Sequence, residues 1–264
     1  MSNKRAYLKV IAIPLKLFLI YRTDFLLNVS MYVIPLYAKY FLFKIVYQSG
    51  ASLGNYNLKQ ILTYYLISTI FYENMPFYAN YDTIHHIRDG RLSLFLTKPM
   101  SYELYSFAMT VGDRINTIST TLLALLLYLP ITLKYLYIPP ITNLLMFIVF
   151  SFMGFLLAYY LGTLFNYSSF YFGDAERGYS FYNILISLFG GQLLPIDILP
   201  GGKILSYNPF AMSIYVPTYL FTHRVESSYL ITHFVVAALW LIFLRWILKI
   251  TYIHGLKRYE ASGG

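Results

Sequence analysis

Three charged side chains, Glu73, Asp113 and Arg114, stand inside stretches of sequence that are otherwise apolar. A charge held at the middle of a bilayer costs at least about 2.5 kcal/mol, so such a residue pairs with another or lines a polar path. Glu73 has the stronger claim to a path, and Arg114 on the following apolar stretch is its natural partner. Lys39 and Lys44 need less, because each can snorkel to an interface from the end of its stretch. Covalent chemistry has little to work with. His85, His86, His223, His233 and His254 form no H-E-x-x-H, and neither G-x-S-x-G nor a paired Asp-rich motif occurs. His85 and His86 share one polar segment, His223 and His233 lie far from it, and no common depth unites them. Without cysteine there is neither a disulfide framework nor a thiol metal site. No catalytic residue and no metal site is assigned. The nearest approach to a phosphate-binding loop, "PGGKIL", puts Ile204 where a hydroxyl is required, so ATP hydrolysis is not expected of this chain.

The elements that must position these charges follow from composition. The 264 residues are 58% hydrophobic, 20% aromatic and 12% charged, with a mean hydropathy of +0.56, which makes the chain an integral membrane protein. A hydrocarbon core of about 30 Å takes about 20 apolar residues per helix. Six runs of that order fall near 24–47, 58–81, 104–130, 140–165, 179–199 and 229–252, and ten-residue alternating barrel strands are absent. No internal repeat and no low-complexity linker divides residues 1–264, so a single all-α membrane domain is expected, with no nucleotide-binding domain.

Lys and Arg set the orientation. With the first residues inside, the inner segments hold Lys4, Arg5, Lys9, Lys16, Arg22, Arg88, Arg91, Lys98, Arg177, Arg245, Lys249, Lys257 and Arg258, against Lys134, Lys203 and Arg224 outside. Both termini are expected in the cytoplasm and the chain in the cytoplasmic membrane. Topology thus accounts for most of the formal +9 charge, and no nucleic-acid partner is expected. Residues 3–22 mix Lys and Arg with Tyr7, Leu8, Ile11, Leu15, Phe18 and Leu19, as a helix in the headgroup plane would. Pro14, Lys16 and Arg22 break any secretory signal there. A basic anchor that merely sets topology fits the same residues.

The chain interrupts itself with "RDGRLSLFLTKPMSYELY", residues 88–105, between the second and third runs. Residues 83–102 read as a short helix with apolar Ile84, Ile87, Leu92, Leu94, Phe95 and Leu96 among charges, stopped by Pro99, with Ser101 as N-cap of the next helix. Such a helix suits docking into a groove on a soluble partner, and a solvated loop obeying the charge rule is the alternative. A second interruption, residues 190–228, carries Gly190, Gly191, Pro195, Pro200, Gly201, Gly202 and Pro209, which forbid one continuous helix. Backbone broken at membrane depth must be buried by protein or reached by water. The segment is thus a re-entrant hairpin or an ordinary external loop.

These stretches carry a family resemblance. "IRDGRLSLFLTKPMS" resembles the G-x-L-x-x-x-L-x-K-P-x-S signature after the second span of ABC-2 type ABC-transporter permeases, through Gly90, Leu92, Leu96, Lys98, Pro99 and Ser101. "LFGGQLLPIDILPGGKILSYNPFAMSIYVPTYLF" is similar to a later block of their small six-span export subfamily through Gly191, Pro195, Pro200, Pro209, Phe210 and Pro217. "HGLKRYEASGG" is similar to its ending through Gly255, Leu256, Arg258, Tyr259, Gly263 and Gly264. The resemblance implies an ABC-2 exporter fold: six transmembrane helices, an N-terminal amphipathic elbow helix, a cytoplasmic coupling helix between spans two and three, and a re-entrant outer hairpin between spans five and six. It implies a permease half working with a second permease subunit, identical or homologous, and with P-loop ABC ATPase subunits that hold ATP and Mg. The coupling segment would place Arg88, Asp89, Gly90, Arg91, Leu92, Leu96, Lys98 and Pro99 at the ATPase. Gly191, Pro195, Pro200, Pro209 and Phe210 would form the outer gate, and Glu73, Asp113 and Arg114 an intramembrane polar path. A stand-alone carrier or channel and an intramembrane enzyme remain the alternatives, and dependence on a soluble ATPase separates them. The aromatic runs around Tyr72 and Tyr78 suit an amphipathic cargo. Cargo identity is not legible.

Overall fold

Long apolar runs leave the backbone no partner but itself, and the chain answers with helices. The computed structural model describes residues 7–14, 22–173 and 175–259. Helix α1 covers 7–14, α2 Arg22–Gln48, α3 Leu58–Asn74, α4 Asp82–Arg88, α5 Leu92–Leu96, α6 Tyr102–Thr132, α7 Ile141–Tyr167 and α8 Ser169–Phe172. They are followed by α9 Tyr179–Phe189, α10 Gly202–Leu205, α11 Pro209–Ser213, α12 Tyr215–Thr222 and α13 Ser227–Arg258. No strand occurs among the described residues.

Among the described residues four helical stretches are long and apolar enough to cross a membrane: Val29–Gln48, Tyr102–Tyr135, Ile141–Phe172 and Ser227–Arg258. Their outward faces carry large apolar side chains such as Ile34, Phe41, Leu126, Phe152, Ile242 and Trp246, a surface that water would not tolerate at this extent. The expected second and fifth runs are shorter as helices. α3 ends at Asn74 with 17 residues because Pro76 biases Met75 to extended backbone, and Met75 has φ −72° and ψ 137°. α9 stops after 11 residues at Gly190–Gly191, where Gly191 takes φ +81°. A Cβ there would lie 2.8 Å from the Tyr64 hydroxyl and 3.1 Å from Tyr215 Cβ, so space and dihedral both call for glycine.

α7 is the hub. It packs against α13, α11 and α12, while α2 packs on α6 and α3, and α12 on α3. Gly154, Ala158 and Gly162 recur every four residues on α7 and let backbones approach. A Cβ on Gly154 would lie 3.0 Å from Ser213 Cα in α11. One on Gly162 would lie 2.6 Å from the Phe77 carbonyl carbon and 2.8 Å from Pro76 O. One helical turn along, buried Asn166 donates its amide to Tyr78 O (2.9 Å) and Asn80 O (3.0 Å) and accepts from the Tyr179 hydroxyl (2.9 Å). α7 thereby fixes the link from α3 to α4.

Candidate functional site

The polar interruption after α3 folds as two short helices rather than one. α4 and α5 meet at Gly90, whose φ of +74° is open to glycine at little cost. Ile84, Ile87 and Leu92 are buried, and the last two join Tyr102, Tyr167 and Leu248 in one apolar cluster. Leu94 and Leu96, the other leucines of the segment, point away and are 61% and 49% exposed. The segment therefore docks by one side and presents the other.

What holds it is mostly polar and mostly tyrosine. The Tyr102 hydroxyl donates to Thr83 Oγ1 (3.1 Å) and lies 2.9 Å from His86 Nδ1. Phe95 sits against the rings of His86, Tyr102 and Tyr105, with Lys98 Nζ 4.6 Å from its own centroid. Burial pushes the His86 imidazolium pKa down, Asp82 works against that, and Arg91, His85 and Lys98 add to it. Asp89 carries the link between the arginines: its carboxylate takes Arg88 Nε at 3.0 Å and Arg91 Nη2 at 3.4 Å. The Arg88 hydrogen bond holds the Asp89 carboxyl below the usual range.

Two ties come from distant sequence. The Tyr259 hydroxyl accepts the Ser93 amide at 3.2 Å, and the Tyr7 hydroxyl accepts the Ser101 amide at 3.3 Å. α1 lies along the start of α6, with Val10 against Ala108 and Met109 and Asn116 Nδ2 donating to Pro14 O at 2.8 Å. Gly112 permits that approach, since a Cβ there would lie 2.5 Å from Ile11 O. Of the other residues expected in the 3–22 helix, Leu15, Phe18 and Leu19 lie outside the described residues, as do Gly263 and Gly264 of the tail motif. A third tie was not legible at all. Glu176, in the short turn before α9, accepts from the Tyr81 hydroxyl at 2.8 Å and pairs with His85 at 2.9 Å and Arg88 at 3.5 Å. No periodicity marks a residue whose partners lie 88 to 95 positions away.

The structure thus brings Arg88, Asp89, Gly90, Arg91, Leu92, Leu96, Lys98 and Pro99 into one small projection at the end of the bundle where α3 finishes. Ser101 occupies the N-cap position of α6 with extended backbone but makes no side-chain cap. The charges within the apolar helices form a looser group. Arg114 Nη1 donates to the main-chain oxygen of Glu73 at 3.0 Å, and no described residue forms an ion pair with the Glu73 carboxylate. The Tyr32 hydroxyl faces that carboxylate instead. Asp113 is next to Arg114 in α6, and Arg114 Nε is enclosed without a partner among the described residues. Lys39 turns inward, donating to Thr69 Oγ1 at 3.2 Å with its ammonium over the Tyr65 ring. The Tyr72 and Tyr78 hydroxyls both donate to Asn183 Oδ1 in α9.

At the opposite end, where α3 begins, the broken segment is built of short pieces. Gly191 is pinned by the Tyr64 hydroxyl, which donates to its oxygen at 2.6 Å. Pro195 opens a 3-10 turn Ile196–Ile198, Pro200 is exposed in the next turn, and Pro209 takes the first position of α11 under an Asn208 cap (Ala211 N to Asn208 Oδ1, 2.9 Å). Phe210 packs on Phe77 and Tyr182. Beside these pieces lies a cavity of about 550 Å³ lined by Asp197, Lys203, Arg224, Glu226 and a group of tyrosines. Among the described residues no cluster of acids and histidines is suited to hold a metal.

Residues 33–263 match the family described as ABC-2 family transporter protein. No curated protein matches the chain.

Proposed function

The chain belongs to the ABC-2 transporter family, and from that premise we propose that it is the membrane-spanning permease half of an ATP-driven exporter. Its motor is a separate P-loop ATPase subunit, which holds ATP and Mg, and a second permease half, identical or homologous, completes the pathway. In this reading α3 and α9 complete a six-span bundle with the four longer helical stretches, both termini face the cytoplasm, α1 is the elbow helix, and residues 190–228 are the re-entrant outer hairpin. The observation that carries it is the projection built by α4, Gly90 and α5. Its inner side is cemented to α6, α8 and α13 by Ile87, Leu92 and Tyr259, while Arg91, Leu94, Leu96 and Lys98 are presented outward. A push on that outer side is delivered directly to three membrane helices. An apolar pair ringed by cations also suits a groove on a folded partner.

The test is purification in mild detergent from native membranes, with the paired substitutions Leu94→Asp and Leu96→Asp. Both side chains are solvent-facing, so the variants should insert and elute as wild type does. A P-loop ATPase that accompanies the wild type and is lost from the double variant supports the reading. Absence of an ATPase from the wild type, under conditions that keep a known ABC complex intact, refutes it and returns attention to a stand-alone carrier.

A further inference from the structure

Four exposed charged side chains, Asp197, Lys203, Arg224 and Glu226, line the cavity beside the broken segment. Asp197 is held at its wall by the Tyr56 hydroxyl, which donates to Oδ1 at 2.8 Å. Glu226 accepts the Ser228 hydroxyl at 3.2 Å. Lys203 and Arg224 line the same space, and among the described residues neither forms an ion pair. Two positive and two negative groups thus face one volume without neutralising each other.

The remaining wall is aromatic. Tyr215 and Tyr219 have ring centroids 5.4 Å apart, Tyr219 and Tyr229 5.5 Å, and Tyr229 lies stacked on His233 at 3.8 Å. The Tyr229 hydroxyl itself is enclosed in the protein with no hydrogen-bond partner among the described residues. At about 550 Å³ the space is of the size small-molecule sites have.

We propose that this cavity binds a zwitterionic headgroup carrying an ammonium and a phosphate. The ammonium lies on the tyrosine faces beside Asp197, as cations do in aromatic boxes. The phosphate reaches Lys203 and Arg224, whose point charge and planar fork suit it. The inference uses the cavity alone and holds whether or not an ATPase drives the chain.

The test is calorimetric titration of the full chain, held in phosphatidylglycerol nanodiscs, with glycerophosphocholine. Choline and glycerol 3-phosphate, each bearing one of the two charged groups, are run beside it. The expected result is saturable binding of glycerophosphocholine that each half-ligand matches only at about tenfold higher concentration, because each forfeits one charged contact. Asp197→Asn, which keeps an acceptor for Tyr56, and Arg224→Gln, an exposed position, should each weaken binding by about fivefold or more while leaving elution unchanged. Repeating the titration in phosphatidylcholine discs identifies the source. Loss of the signal there assigns the site to a lipid headgroup, and an unchanged signal assigns it to a soluble zwitterion. No saturable binding, binding of choline as tight as that of glycerophosphocholine, or binding that both variants leave untouched overturns the proposal.

Discussion

Replacing Gly162 by alanine adds a single methyl group to α7 at the point where the chain between α3 and α4 crosses it. That methyl would sit 2.6 Å from the Phe77 carbonyl carbon and 2.8 Å from Pro76 O, where ordinary contact begins near 3.4 Å. The obstacle is main chain, so no rotamer change relieves it, and the segment must withdraw by about an ångström, since Phe77 O lies closer still. Withdrawal also stretches the two bonds from Asn166 to Tyr78 O and Asn80 O, now 2.9 and 3.0 Å. Overpacking of this kind costs about 1–3 kcal/mol. The strained hydrogen bonds add about 1 kcal/mol. Together they should lower the apparent Tm of the purified protein by roughly 5–15 °C, at a few degrees per kcal/mol for a chain of this size. Gly178→Ala is the matched control: its methyl meets only the ring end of Phe165, at 3.2 Å, which can move. The assay is thermal unfolding in detergent followed by size-exclusion of the surviving monodisperse fraction. A Gly162→Ala protein within a degree or two of wild type would refute the argument that α7 and the 75–80 segment touch backbone to backbone. Because that segment leads into α4, the same variant should also weaken whatever the α4–α5 projection binds.

Removing the Tyr259 hydroxyl with Tyr259→Phe leaves the Ser93 amide without its 3.2 Å acceptor, at a cost of about 1 kcal/mol, and hydrogen exchange should show faster exchange across residues 90–96 with the rest unchanged. His86 gives a pH signature. Its folded pKa is lowered by burial, so the unfolded chain binds the proton more readily; stability is whole above the ordinary histidine value near 6.5 and declines as pH falls below it. Apparent Tm measured from pH 7.5 to 5.0 should therefore drop in the wild type, and His86→Gln should flatten that part of the profile.

Much of this architecture could be read before any coordinates, and the reasons differ from place to place. The long helices were legible because a bilayer demands an unbroken apolar run, and the Gly–Pro content of 190–228 announced that no helix could pass through it. The end of α3 was drawn seven residues too late because hydropathy continues through Phe77 and Tyr78 while Pro76 has already turned the backbone. The segment at 88–101 was legible as a motif, but its folding as two helices was not: the reversal at Gly90 turns Leu94 and Leu96 away from the side on which Ile84, Ile87 and Leu92 are buried. Glu176, Asn166 and Tyr259 act across 86 to 166 positions of sequence, and nothing local encodes such a partner. The tyrosine cavity was hidden for another reason: tyrosine is so common here, at 29 residues, that four converging on one space leave no compositional trace.

α13 runs for 32 residues with no proline inside it, whereas α2 and α6 carry Pro35 and Pro130. At 1.5 Å per residue it is a rod of about 48 Å. His233 near one end stacks on Tyr229 at the cavity, Trp240 donates to Tyr207 O, and Leu248 and Tyr259 at the other end reach the α4–α5 projection. A stiff rod pivoting near its middle converts angle into travel. A tilt of about 5° moves each end by about 2 Å in opposite directions, which is enough to break a hydrogen bond at either end. The two ends of the molecule therefore share one mechanical degree of freedom, and the cavity and the projection cannot be displaced independently along it.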